Sequence, residues 1–139
     1  MLSNLTVIEL ASVLAGPSVG QFFAEWGATV VKVENPRTEG DVTRRWETPG
    51  NAERAAAGEE GEVAGDGENN RDDRSAYFCA CNHGKESVAL DLSTEDGQAL
   101  LHDLVRAAGE HVLVLASFRP GAAEALGADY ETLAGIEPA

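Results

Sequence analysis

The feature that most constrains this chain is a continuous unit between Glu9 and Pro36. Leu5-Thr-Val-Ile-Glu-Leu10 is a short β-type run that continues into Ala11-Ser-Val-Leu-Ala15. Gly16-Pro17 then opens a helix, with Pro17 suited to the first helical position because its missing N–H has no partner there. Val19, Phe22, Phe23 and Trp26 recur at helical spacing, and Gly27 is placed as a C-terminal stop. Thr29-Val-Val-Lys-Val33 is a second strand. A strand, a helix and a strand in so few residues form a βαβ unit, whose strands must run parallel and whose crossover is right-handed.

The rest of the chain repeats the alternation. Ala76-Tyr-Phe-Cys-Ala-Cys81 fits a strand or a short helix, and periodicity does not arbitrate. Asn82-His-Gly-Lys85 reads as a turn and Ser87–Leu92 as a strand. Ser93 is placed to cap a helix, with Asp96 completing a capping-box pattern. Leu100, Leu101, Leu104, Val105 and Ala108 give that helix its apolar face up to Gly109. His111–Ala116 is nearly all apolar, as a parallel strand covered on both faces should be. Ser117-Phe-Arg-Pro-Gly121 is a turn, followed by small-residue helix around Ala122–Leu126 and a last short helix over Tyr130–Ile136. The fold class is therefore α/β.

One stretch breaks the pattern. From Asn51 to Asp73 the residues are almost all Ala, Gly, Glu, Asp and Asn, with eight acids against Arg54 and Arg71 and only Val63 as a large aliphatic. Such a segment buries too little to offset its ordering entropy and reads as an acidic, flexible insertion. The remainder is one domain: 139 residues support one core and not two.

Charge excludes some partners. Ten Lys and Arg against 24 Asp and Glu give a net −14, which repels nucleic acid and anionic membrane surfaces. Solubility explains this acidity, and a high-salt cytoplasm is the sharper version of the same explanation. No apolar run approaches a membrane span, and Met1-Leu-Ser-Asn4 has no basic leader, so the expected location is the cytoplasm. Cys79 and Cys81 are too close for a good disulfide and lack further metal ligands; they read as small buried hydrophobes. No G-x-G-x-x-G follows the first strand, which argues against a dinucleotide site.

Three ordered stretches carry more. They are Leu14-Ala-Gly-Pro17 with Gly27-Ala-Thr-Val-Val-Lys-Val-Glu34, then Asn82-His-Gly-Lys-Glu-Ser-Val-Ala-Leu-Asp-Leu92, then Phe118-Arg-Pro-Gly121 with Leu126-Gly127 and Tyr130-Glu131. With Gly40-Asp41 and Arg44, the set resembles the start of the class III CoA-transferase family, which includes formyl-CoA and carnitine-type CoA transferases and α-methylacyl-CoA racemases. The resemblance covers nearly everything but the acidic stretch. It implies a Rossmann-like large domain, of which this chain is the incomplete N-terminal part, in an interlocked homodimer. It also implies CoA transfer from an acyl-CoA to a carboxylic acid through anhydride and thioester intermediates on an aspartate. The racemase branch instead exchanges an α-proton. CoA is then a substrate, with no permanently bound cofactor and no metal.

By the same resemblance Val13, Leu14 and Ala15 lie along the pantetheine arm of CoA, and Ser117 and Phe118 border it, Ser117 standing where relatives often carry Asn. Lys85 sits in the matching turn, while Glu86 and Ala125 replace residues that are often basic. Arg37, Arg44, Arg45 and Arg119 remain as candidate phosphate partners, Arg37 and Arg44 foremost. Each has an ordinary reading beside this one: Leu14 and Ala15 as strand-end packing, Phe118 as core, Asp41 and Arg44 as a surface pair, Asp91 as a turn acceptor. His83, His102 and His111 make no convincing base. The family's nucleophilic Asp falls in a part that would follow Glu137-Pro138, so no catalytic residue is assigned. The chain alone is expected to be inactive, as a truncated product or as one subunit of a split enzyme, and marginal in stability.

Overall fold

The structure is a computed structural model, and it describes residues 1–46 and 75–136. The acidic stretch over 51–73 lies outside the described residues. Strand β1 (Thr6–Leu10) leads through helix α1 (Ala15–Glu25) to β2 (Thr29–Glu34). Two 3₁₀ turns follow, Pro36–Thr38 and Val42–Arg45. Then come α2 (Ala76–Asn82), β3 (Glu86–Ala89), α3 (Glu95–Ala108), β4 (Val112–Ala116), α4 (Ala122–Ala125) and α5 (Tyr130–Ala134). The four strands form one parallel sheet in the order β3-β2-β1-β4. The chain steps outward from β1 to β3 and then returns to the other side of β1. Between β1 and β4 the winding therefore reverses, and a crevice opens above the carboxyl ends of those strands.

Alternation along β1 explains the two cores. Ile8 and Leu10 point to one face, where they pack with Val33, Leu90, Leu101, Val105 and Leu133. Val7 points to the other, with Val30 and Ala28 and the partly buried Phe23 of α1. Leu101 and Val105 are spaced one turn apart on α3 and are almost fully enclosed, and each such side chain contributes about 2 kcal/mol on leaving water. No described helix is long and apolar enough to cross a membrane.

Local differences from the sequence reading have physical causes. Residues 76–82 are helical, because Ser75 Oγ accepts the Phe78 N–H and caps the first turn. Helix α3 is capped by Thr94 rather than Ser93: Asp91 takes both the N–H and the hydroxyl of Ser93, so the helix begins one residue later, with Thr94 Oγ1 accepting from Gly97 N–H. Helix α1 begins at Ala15, so Pro17 is its third residue and not its first. Strand β3 is shorter than the run of apolar residues suggests and stops at Ala89.

Candidate functional site

The face of the sheet under α1 is not apolar throughout. Val7 and Glu9 of β1, and Val30, Lys32 and Glu34 of β2, share it, since every second residue points the same way. Glu9 is paired in register with Lys32, and both are enclosed. Lys32 Nζ donates to Glu9 Oε1 at 2.8 Å and to the Ala11 carbonyl at 2.8 Å, and it lies 3.0 Å from Asp41 Oδ2. Lys85 Nζ donates to the other Glu9 oxygen at 2.7 Å, to the Pro17 carbonyl at 2.8 Å and to Asn82 Oδ1 at 3.0 Å. Two ammonium groups thus meet two carboxylates, with all six ammonium hydrogens given to acceptors. Buried charge on this scale is tolerable only when it balances and every donor is satisfied.

Three groups in this region titrate away from their ordinary values. Burial is the largest single influence on Asp41 and pushes its carboxyl up. It is outweighed by the N–H and hydroxyl of Thr43 together with Lys32, so the group ends below the ordinary value. Burial likewise pushes Glu34 up, but Arg44, the Ser87 hydroxyl and the Asp41 N–H together bring it down. For Lys85 burial wins over the attraction of Glu9, and its ammonium is lowered. Arg44 also lies over the Phe78 ring, 4.0 Å from its centroid.

Above this network, over the carboxyl ends of the strands, is a cavity of about 540 Å³. Leu10, Val33 and Phe118 form apolar wall, and Ser12, Ser117 and Arg45 are among its polar lining. Apolar walls with a few polar groups on a pre-formed floor suit a small organic ligand. The start of α1 stands beside it. Gly16 is required there, because a Cβ would overlap the Ala11 side chain at the end of β1.

The residues singled out from the sequence divide into groups. Ser117 and Phe118 line the cavity. Val13, Leu14 and Ala15 form the adjoining turn and helix start, Leu14 and Ala15 exposed and Val13 half-buried. Arg37 is exposed and paired with Asp91 Oδ2 at 2.5 Å, so Asp91 is an ion-pair partner as well as a turn acceptor. Arg44 is engaged by Glu34, and Lys85 by Glu9, within the protein interior. Asp41 and Arg44 do not form the surface pair considered for them: Asp41 is enclosed against Lys32, and Arg44 faces Glu34. The buried network itself was not found from sequence. Its signal was available in Glu9, Lys32 and Glu34, three charges placed inside strand runs that otherwise point inward.

Comparison with known proteins gives these positions a context. The family model described as CoA-transferase family III matches residues 2–139. The chain is 44% identical over 137 residues to a succinate–glutarate CoA-transferase of Agrobacterium fabrum, covering 99% of this chain and 30% of that protein. It is 34% identical to a succinyl-CoA:mesaconate CoA-transferase of Haloarcula hispanica, covering 99% of this chain and 29% of that protein. Among solved structures, a CAIB/BAIF family protein from Brucella suis superposes with a TM-score of 0.74 at 41% identity, covering 99% of this chain and 31% of the other. The chain thus spans about 30% of the length of the relatives it matches.

Proposed function

The chain belongs to CoA-transferase family III, and on that premise we propose that it is the N-terminal, CoA-binding portion of an enzyme that moves CoA from an acyl-CoA to a carboxylic acid. The catalytic aspartate of that enzyme lies outside residues 1–139. The observation that carries the reading is the cavity over the carboxyl ends of the sheet, which runs from Asn35 and Arg45 beyond β2 to Ser12, Ser117 and Phe118 at the reversal between β1 and β4. In a doubly wound parallel sheet this is where a nucleotide-type ligand sits.

The chemistry follows from a carboxylate nucleophile. The aspartate attacks the donor thioester carbonyl and expels CoA thiolate, leaving a mixed anhydride. The thiolate attacks the aspartyl carbonyl, releases the donor acid and leaves an aspartyl thioester. The acceptor carboxylate then repeats the two steps in reverse order, so that a new acyl-CoA leaves and the aspartate is regenerated. The role of residues 1–139 is to hold the CoA moiety while both acids exchange. Val13, Leu14 and Ala15 flank its pantetheine arm, Ser117 and Phe118 border it, and Arg37, exposed beside Asp91, is a candidate partner for a phosphate. In full length the enzyme is a homodimer, which would cover the exposed Phe22 and Trp26 of α1.

The test is to give the full-length protein succinyl-CoA with a panel of dicarboxylic acids and follow new acyl-CoA by mass spectrometry. Transfer to at least one acid is expected. No transfer, together with deuterium exchange at the α-carbon of a 2-methylacyl-CoA, would replace this reading by the racemase one.

A further inference from the structure

We propose that Asp41 is a positioning residue that holds the Ser12–Leu14 turn in the shape on which the CoA-binding edge is built. The second half of that statement rests on the CoA reading above; the first half does not.

Val13 carries the relevant strain. Its φ is +72°, in the left-handed region that a β-branched residue rarely occupies. Such a conformation persists only where neighbouring structure over-determines it. Here the contact made at the strained residue itself is with one carboxylate. The Val13 N–H points between the two Asp41 oxygens, 3.4 Å from Oδ1 and 3.3 Å from Oδ2, a shared three-centre geometry. Asp41 is itself immobilised from the opposite side. Its Oδ1 accepts the N–H and hydroxyl of Thr43 at 3.0 and 2.8 Å, its Oδ2 faces Lys32, and its own N–H donates to Glu34 Oε2 at 2.7 Å. The carboxylate is enclosed, whereas Ser12 and Leu14 on either side of Val13 are exposed. The buried ion cluster therefore holds the segment at three backbone points: the Ala11 carbonyl through Lys32, the Pro17 carbonyl through Lys85 and, at the strained residue itself, the Val13 N–H through Asp41.

The turn is where the connection matters. Ser12 is in the wall of the cavity, and Leu14 and Ala15 begin α1 beside it, with no side-chain cap to fix the helix start. If Val13 relaxed to negative φ, both flanks would be redirected. Asp41 also lines the floor of the cavity, but its oxygens are taken by Thr43, Lys32 and the Val13 N–H. The role assigned to it therefore runs through Val13, and Val13→Pro, which leaves the carboxylate in place, isolates that role.

Two measurements on the full chain separate this from a purely structural role. The first is hydrogen exchange at the Val13 amide, expected to be protected in the wild type and unprotected in Asp41→Asn. The second is CoA affinity by titration calorimetry. Asp41→Asn should weaken CoA about tenfold, and adding Val13→Gly should restore most of the loss, because glycine takes positive φ without strain. Val13→Gly relieves backbone strain in any background, so it is also measured in the wild type, and a gain in CoA affinity confined to Asp41→Asn is what assigns the loss to the turn. Where Asp41→Asn does not fold, Val13→Pro serves instead: it leaves the ion cluster whole, removes the N–H and forbids positive φ, and should cost at least the same tenfold. Unchanged Val13 exchange in Asp41→Asn, no recovery with Val13→Gly, or full affinity in Val13→Pro would each overturn the proposal. A wild-type chain that ignores CoA would instead remove the CoA reading, leaving hydrogen exchange to judge the role of Asp41 in the turn.

Discussion

Lys85 Nζ donates to Glu9 Oε2 at 2.7 Å, joining residues 76 positions apart and tying the turn before β3 to the centre of the sheet beneath α1. The contact lies where a parallel α/β sheet would ordinarily be apolar. Its justification is balance: Lys32 and Lys85 neutralise Glu9 and Asp41, and Asn82 and two backbone carbonyls take the spare hydrogens.

Charge balance makes a prediction with a distinctive sign. Lys85→Met leaves two buried carboxylates facing one ammonium and should cost about 3 kcal/mol in urea unfolding. Glu9→Gln added to it leaves Lys32 against Asp41, again balanced, so the double variant should be more stable than Lys85→Met alone. A double variant that is weaker still would show that shape and not charge governs the cluster.

Gly20 tests the packing over the same carboxylate. In an ordinary helix Gly→Ala stabilises by about 1 kcal/mol. A Cβ on Gly20 would overlap Glu9 Oε2 and approach Lys85 Nζ to 3.1 Å, and both groups are held on other sides as well. Gly20→Ala should therefore destabilise, by about 2 kcal/mol as an overpacked core substitution does. A raised melting temperature would contradict the rigidity inferred for Glu9.

The structure separates the two phosphate candidates Arg37 and Arg44. Arg44 fixes Glu34 and covers Phe78, so Arg44→Ala should lower the melting temperature clearly. Arg37 is exposed beside Asp91, an arrangement that contributes little to stability. Arg37→Ala should leave the melt unchanged and weaken CoA several-fold if it meets a phosphate. Unchanged affinity would remove Arg37 from the site.

Much of this was legible because it depends on local pattern. The βαβ unit from β1 to β2 follows from helical spacing between two apolar runs, and α3 from the Leu101–Val105 face. Ser117 and Phe118 could be placed near a ligand only through an ordered set of motifs, since nothing in a lone Ser-Phe pair says cavity. The buried network was hidden for a different reason. Glu9, Lys32, Asp41 and Lys85 are far apart in sequence, and each alone resembles a surface charge at a strand end or turn. Only the parallel register that sets Glu9 beside Lys32 turns four ordinary residues into one neutral cluster. Thr94 replaced Ser93 as a cap for a similar reason, because Asp91 had already claimed the Ser93 hydroxyl.

The same carboxylates set the response to acid. Glu34 and Asp41 titrate below their ordinary values of 4.5 and 3.8, burial being outweighed by Arg44, Ser87 and the Asp41 N–H in one case and by Thr43 and Lys32 in the other. Their folded-state pKa values are depressed, so the unfolded chain binds more protons as pH falls through this range. Their contribution is fully present above the unfolded values and is lost as pH drops through the lower folded ones. Urea midpoints measured from about pH 7 to about pH 3 should hold level and then fall once pH passes below the ordinary carboxyl range. Glu34→Gln should begin from a lower plateau, because Arg44 loses its charged partner, and should fall less steeply, because one of the linked groups is gone. Parallel curves for the two proteins would mean that Glu34 contributes nothing to the acid transition, leaving it to Asp41 and to Asp91 and Asp129, which Ser93 and Thr132 hold below their ordinary value.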